Sequence, residues 1–99
     1  MRKITKEAVE AFETATKYKN NNTAIVVLEN VTIMYLHGNA IAYLYNDPRR
    51  TLTISNCGWF SNTTKERLNG IKGVSIQQKK GVWYLNGEEW NGKPKDVKK

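Results

Sequence analysis

The segment from Ile71 to Gly92, IKGVSIQQKKGVWYLNGEEWNG, constrains the fold more than any other. It holds two dipeptides suited to tight hairpin loops, Lys80-Gly81 and Asn86-Gly87. The second is the stronger signal, because a two-residue type I′ loop needs positive φ at both positions and Asn-Gly supplies it. Each loop sets a register. A loop at Asn86-Gly87 opposes Leu85 to Glu88, Tyr84 to Glu89 and Trp83 to Trp90. A loop at Lys80-Gly81 opposes Ile76 to Leu85 and Gln78 to Trp83. Side chains alternate across a strand, so both registers put Val74, Ile76, Trp83, Leu85 and Trp90 on one face. Ser75, Gln77, Lys79, Tyr84 and Glu89 fall on the other. Two turns arrive at one arrangement: a three-stranded meander with a tryptophan-lined buried side, the cross-strand Trp pair serving as core.

Upstream, Ile4 to about Lys19 reads as an amphipathic helix. Thr5 is its expected N-cap, and Ala8, Val9, Phe12, Ala15 and Thr16 share a face. Asn20, Asn21 and Asn22 are expected to end it, asparagine tolerating a left-handed backbone. The runs TAIVVLEN, VTIMYLHG, AIAYLYN and TLTISN then read as strands. A loop at Gly38-Asn39 would place Leu36 opposite Ile41 and Met34 opposite Tyr43, with Tyr45 on the same face. Ile33, Tyr35, Ala42 and Leu44 would occupy the other. Both faces are then apolar, which predicts a homodimer or a hydrophobic docking face. In NTTKERLNG, Thr63 and Glu66 have capping-box spacing and Asn69-Gly70 is a stop signal, so a short second helix is expected. The fold class is therefore α+β: one domain over residues 1–99, with an N-terminal helix on an antiparallel sheet, a short second helix and a C-terminal β-meander.

The formal net charge of this 99-residue chain is +7. Arg2, Lys3 and Lys6 supply part of the excess, and Lys93, Lys95, Lys98 and Lys99 against Asp96 supply most of the rest. Residues 1–3 and 93–99 are accordingly expected to be flexible basic tails. Within the body, Arg49, Arg50, Lys65, Arg67, Lys72, Lys79 and Lys80 cluster late in the chain, with only Asp47 and Glu66 among them to balance. Together with Tyr84 they form the candidate partner-binding patch. Lys65 and Arg67 are expected to face solvent beside the meander.

Catalytic and cofactor signals are poor. His37 is the single histidine and Cys57 the single cysteine, too few for a zinc site, and nothing in the sequence joins them as a dyad. One cysteine forms no internal disulfide, which fits a reducing compartment. Glu88 and Glu89 are neighbours on a strand and point to opposite faces, so they do not form an acid–base pair. No glycine-rich phosphate loop is present, and no apolar run approaches the roughly 18 residues of a membrane span. Gly70-Ile71-Lys72-Gly73 matches the GxxG of nucleic-acid-clamping KH domains, but there it joins two helices and here a strand follows. No enzyme activity, cofactor or metal is expected.

The stretch ISNCGWFSNTTKERLNGIKGVSIQQKKGVWYLNGEEWNG resembles the C-terminal core of small proteins of tailed bacteriophages and prophages, which share a Gly-Trp, a TTKERLN helix, a GVSIQQK strand and a WYLNG-x-EW-x-G ending. ITKEAVEAF and YLHGNAIA resemble theirs more loosely. The resemblance implies phage origin and action in the host bacterial cytoplasm, and it implies no catalytic residue. With the charge pattern it points to a non-enzymatic accessory protein that binds and modulates a host protein or ribonucleoprotein, as an anti-CRISPR factor does. The rival expectation is direct binding of RNA or DNA by the basic patch.

Overall fold

The structure, a computed structural model, describes residues 2–97. It has two helices and nine strands, α1 (Lys3–Glu13), β1 (Tyr18–Asn20), β2 (Thr23–Val27), β3 (Val31–Leu36), β4 (Asn39–Tyr45), β5 (Leu52–Ile54), α2 (Asn62–Asn69), β6 (Ile76–Lys79), β7 (Val82–Leu85), β8 (Glu88–Glu89) and β9 (Lys95–Val97). The strands make a six-stranded antiparallel sheet, in the order β1-β2-β3-β4-β5-β9, and the separate three-stranded meander β6-β7-β8. The α+β architecture is the expected one.

Helix α1 is amphipathic: Thr5, Ala8, Val9, Ala11 and Phe12 are buried, on the stripe that a 3.6-residue period predicts. It packs across β1, β2 and β3. Phe12 is fully buried, worth about 2–3 kcal/mol for a side chain of its kind. The helix is shorter than its sequence suggests. Ala15 takes φ +52°, and the chain turns back so that Tyr18–Asn20 pair with Thr23–Ile25. Asn20 therefore ends β1 and Asn21-Asn22 make a hairpin turn, with Asn21 at φ +54°, instead of capping a helix. Thr5 is no N-cap; that position belongs to Arg2, without a side-chain cap bond, and Thr5 is interior.

The middle hairpin corrects the expected register. Its loop is His37-Gly38, at φ +52° and +79°, so Leu36 faces Asn39. Histidine is among the residues that enter the left-handed region. A bulge follows, with Tyr35 facing Ala40 and Met34 facing Ala42. The extra residue, Ile41, reverses the alternation beyond it. Met34, Leu36, Ile41, Ala42 and Leu44 are consequently all buried, while Tyr43 and Tyr45 turn to the opposite side, stacked with centroids 6.3 Å apart. Through the register, Val26, Ile33 and Tyr43 form a row on that outer face.

Every strand pair of the meander is an expected one, and just past β8 the Trp90 N–H donates to the Trp83 carbonyl at 2.9 Å. Ile76 faces Leu85, Gln78 faces Trp83, and Tyr84 faces Glu89. Lys80 and Gly81 lie at φ +50° and +80°, Asn86 and Gly87 at +50° and +88°, as type I′ loops require. Val74, Ile76, Trp83, Leu85 and Trp90 join the core with Leu68 of α2. The Trp83 and Trp90 rings are 6.2 Å apart, and Phe60 meets Trp83 edge-on at 5.1 Å.

The expected basic tail is corrected for residues 93–97: Lys95–Val97 pair with Leu52–Ile54 as the sheet's last strand, and Val97 is buried. The open edge of β5 supplies the ladder, the Thr53 hydroxyl donates to Asp96 Oδ1 at 2.6 Å and Val97 enters the core. The N-terminal tail is corrected likewise: Lys3 begins α1 and Arg2 is its N-cap, 3.8 Å from Glu66, while Met1, Lys98 and Lys99 lie outside the described residues.

Candidate partner-binding surface

The basic residues singled out by sequence do not make one patch. Arg67 leaves it altogether: its side chain is 1% exposed. It donates from Nε to Thr23 Oγ1 (3.1 Å) and from Nη1 to Thr5 Oγ1 (2.6 Å) and Glu66 Oε1 (2.7 Å). Thr5 Oγ1 in turn donates to Glu66 Oε1 at 2.7 Å. The expectation of a solvent-facing Arg67 fails because α2 packs beside α1, β4 and β6, which buries the guanidinium, and a buried charge must be paired. Burial pulls the Arg67 guanidinium below its ordinary value, and Glu66 opposes that shift. The Thr5 hydroxyl, with Arg2 and Arg67, holds the Glu66 carboxyl below the usual glutamate range against partial burial. Glu66 is thus not the capping-box partner of Thr63. Ser61 caps α2, its Oγ accepting the Thr64 N–H at 3.1 Å.

The other cations separate. Arg50 and Lys72 meet at the C-terminal end of α1. Arg50 Nη2 donates to the Glu13 carbonyl (3.2 Å), and the Lys72 backbone N–H donates to Glu13 Oε2 (3.3 Å). They border a cleft of about 550 Å³ floored by Phe12, Leu44, Leu52 and Ile71. Arg49 is exposed on the neighbouring turn, where Asp47 accepts from the Thr51 N–H and hydroxyl and is held below its ordinary value by those bonds. Lys65 is tied to the meander, donating to Gln78 Oε1 at 2.7 Å with its ammonium 5.7 Å above Trp83. Lys79 and Lys80 are exposed at the tip of the β6–β7 hairpin, and Tyr84 is half-buried between Gln77 and Glu89.

A stronger surface feature lies where sequence reading saw only a Gly-Trp motif. Trp59 is 61% exposed and Phe60, its neighbour, 54%. The loop that presents them is internally bonded. The Asn56 N–H and the Ser55 hydroxyl both donate to the Gly92 carbonyl, and the Cys57 N–H donates to Ser55 Oγ. The Gly58 N–H donates to Asn56 Oδ1, and the Trp59 N–H to the Asn56 carbonyl. Ser61 then caps α2. Two large aromatics stand more than half exposed, Phe60 resting one edge on Trp83, on a loop whose N–H groups from Asn56 to Trp59 are bonded, an arrangement typical of interface anchors. The available sequence signal was the absence of alternation: in GWF the two aromatics are adjacent, outside any strand or helix pattern, and no buried face accommodates both.

Beside this ledge is a cavity of about 410 Å³. Its apolar lining is Leu36, Ile41 and Trp59, and its polar lining includes His37, Asn39, Thr63 and Asn56. Asn56 is 1% exposed, and its Nδ2 finds no hydrogen-bond partner among the described residues.

His37 Nε2 lies 3.4 Å from Asn22 Nδ2, and the Cys57 thiol donates to the Ala40 carbonyl at 3.0 Å. Among the described residues no group of three or more metal-ligating side chains is gathered, and no helix is long and apolar enough to cross a membrane. No curated protein and no solved structure matches the chain. A family described as Kyanoviridae Gp96 protein matches residues 1–98, nearly the whole length, and the chain therefore belongs to that family of bacteriophage proteins.

Proposed function

We propose that this is a non-enzymatic phage accessory protein that acts in the host cytoplasm by docking on a host protein or ribonucleoprotein, in the manner of an anti-defence factor. The observation that carries this reading is the Trp59–Phe60 ledge. Aromatic side chains of this size left exposed on an internally bonded loop forgo the burial that stabilises Phe12 and Trp83, and recover it when a partner covers them. The rival use of a basic patch to grip phosphates is weakened, since Arg67 is internal and Lys65 is already engaged.

The test is affinity capture with the full chain from host lysate, with and without nuclease. The variants are Trp59→Ala/Phe60→Ala and, for comparison, Lys79→Glu/Lys80→Glu. Exposed substitutions rarely change stability by more than about 0.5 kcal/mol, so the lysine pair and Trp59→Ala alone should melt close to the parent, while adding Phe60→Ala, which removes an edge contact with Trp83, should lower the melting temperature without unfolding the chain. The aromatic pair should lose the captured partner and the lysine pair should keep it. Equal capture by the aromatic variant refutes the reading. Loss confined to the lysine variant, together with steep weakening by salt, points instead to phosphate contacts.

A further inference from the structure

We infer, on the reading of Trp59 as the contact residue, that the cavity beside it is a binding site for an unpaired nucleobase. A base has two flat apolar faces and an edge of uncharged donors and acceptors. The cavity has matching parts. Leu36 and Ile41 floor it, and the exposed indole of Trp59 forms a wall on which a ring can stack. His37, Asn39 and Thr63 supply hydrogen-bonding groups at its sides. Asn56, also lining it, carries a buried Nδ2 donor without a partner, while its Oδ1 is committed to the Gly58 N–H. That bond fixes which way the amide is turned; the Nδ2 itself is closed off beside Gly92, so the base-edge contacts fall to His37, Asn39 and Thr63.

The alternatives fit less well. Neither Lys, Arg, Asp nor Glu lines the cavity, so a charged side chain or a phosphate would enter without a counter-charge. An aliphatic side chain would fill the floor but leave the amides and hydroxyl dehydrated and unpaired, which is costly. The volume, about 410 Å³, falls within the range of sites for small ring systems, roughly 300–1,000 Å³. Recognition here depends on stacking and base-edge bonds and not on phosphate neutralisation. The docking partner is on this account a ribonucleoprotein or RNA that offers a splayed-out base.

The probes are the four ribonucleosides, with ribose 5-phosphate as the base-less control, observed by saturation-transfer NMR against the full chain. Because Trp83 and Trp90 are buried, the indole N–H resonance of Trp59 serves as a second reporter in the parent. At least one nucleoside should bind saturably and shift that resonance, with little dependence on salt, and ribose 5-phosphate should do neither. Trp59→Ala should weaken nucleoside binding by between about fivefold and a hundredfold, the range of base–aromatic stacking. Thr63→Val and Asn39→Ala should weaken it while leaving the melting temperature in place. No binding by any nucleoside, or equal binding by ribose 5-phosphate, overturns the assignment. If lysate capture depends on Trp59 but resists nuclease and nucleoside competition, the cavity holds a protein side chain, and the docking reading stands while the nucleobase falls. If nucleosides bind but capture is indifferent to Trp59 and Phe60, the docking reading falls alone.

Discussion

Replacing Arg67 by alanine is the most informative perturbation of the fold. The side chain is internal and bridges three elements, reaching Thr5 of α1, Thr23 of β2 and its own neighbour Glu66. Removing one member of a buried ion pair costs about 3–5 kcal/mol. The upper end does not apply here, because the groups left behind retain partners. Thr5 still donates to Glu66, Thr23 still donates to Asn22 Oδ1 at 2.8 Å, and Glu66, 30% exposed, keeps Arg2 at 3.8 Å. A loss of about 3 kcal/mol is therefore expected for Arg67→Ala, against a total of roughly 5–15 kcal/mol for a domain of this size. Arg67→Met leaves no cavity and should cost less than Arg67→Ala, the difference being the packing that the shorter side chain forfeits, while the bonds to Thr5, Thr23 and Glu66 are lost in both. Urea unfolding followed by tryptophan fluorescence gives both values from the midpoint and slope. If Arg67→Ala unfolds within about 0.5 kcal/mol of the parent, the range for exposed changes, then Arg67 is a surface cation and the network described above does not hold the helices together.

Two further predictions concern the loop and the acid response. Gly92 lies at φ +87°, and a Cβ there would run into the Asn56 side-chain amide. Gly92→Ala should lower stability by clearly more than Gly58→Ala, whose glycine is at φ +83° but has open space around it; the second should cost only the left-handed backbone term, roughly 1–2 kcal/mol. Equal melting temperatures for the two variants would show that Asn56 is not held against Gly92. Glu66 has its folded pKa lowered below the ordinary 4.5, chiefly by the Thr5 hydroxyl. Its contribution is thus present above that ordinary value and lost as pH falls through the lower folded value. Urea midpoints measured from about pH 7 down to about pH 3 should decline less in Glu66→Gln than in the parent, and parallel declines would rule the linkage out.

The meander was legible in the sequence because its information is local. Lys80-Gly81 and Asn86-Gly87 each set a register through backbone conformation alone, and the alternation of Ile76, Trp83, Leu85 and Trp90 then names the buried face. The apolar stripe of α1 was legible for the same reason, a periodicity carried by Ala8, Val9 and Phe12. Arg67 was not, because an arginine on a short helix looks the same whether it meets solvent or the hydroxyls of Thr5 and Thr23, residues more than 40 positions away. The bulge at Ile41 was likewise hidden: AIAYLY alternates without a break, and only the competition between the His37-Gly38 loop and the core decides which of Ala42 and Tyr43 turns inward. Strand β9 required an open edge at β5, and the Trp59–Phe60 ledge required a loop anchored at Gly92, far along the chain. Local sequence therefore determined the meander's two turns and its core face, the apolar stripe of α1 and the presence of a short second helix. The tertiary structure alone decided which charges are internal, which aromatics are left outside and where a cavity forms beside them, because each depends on groups that folding brings together from distant parts of the chain.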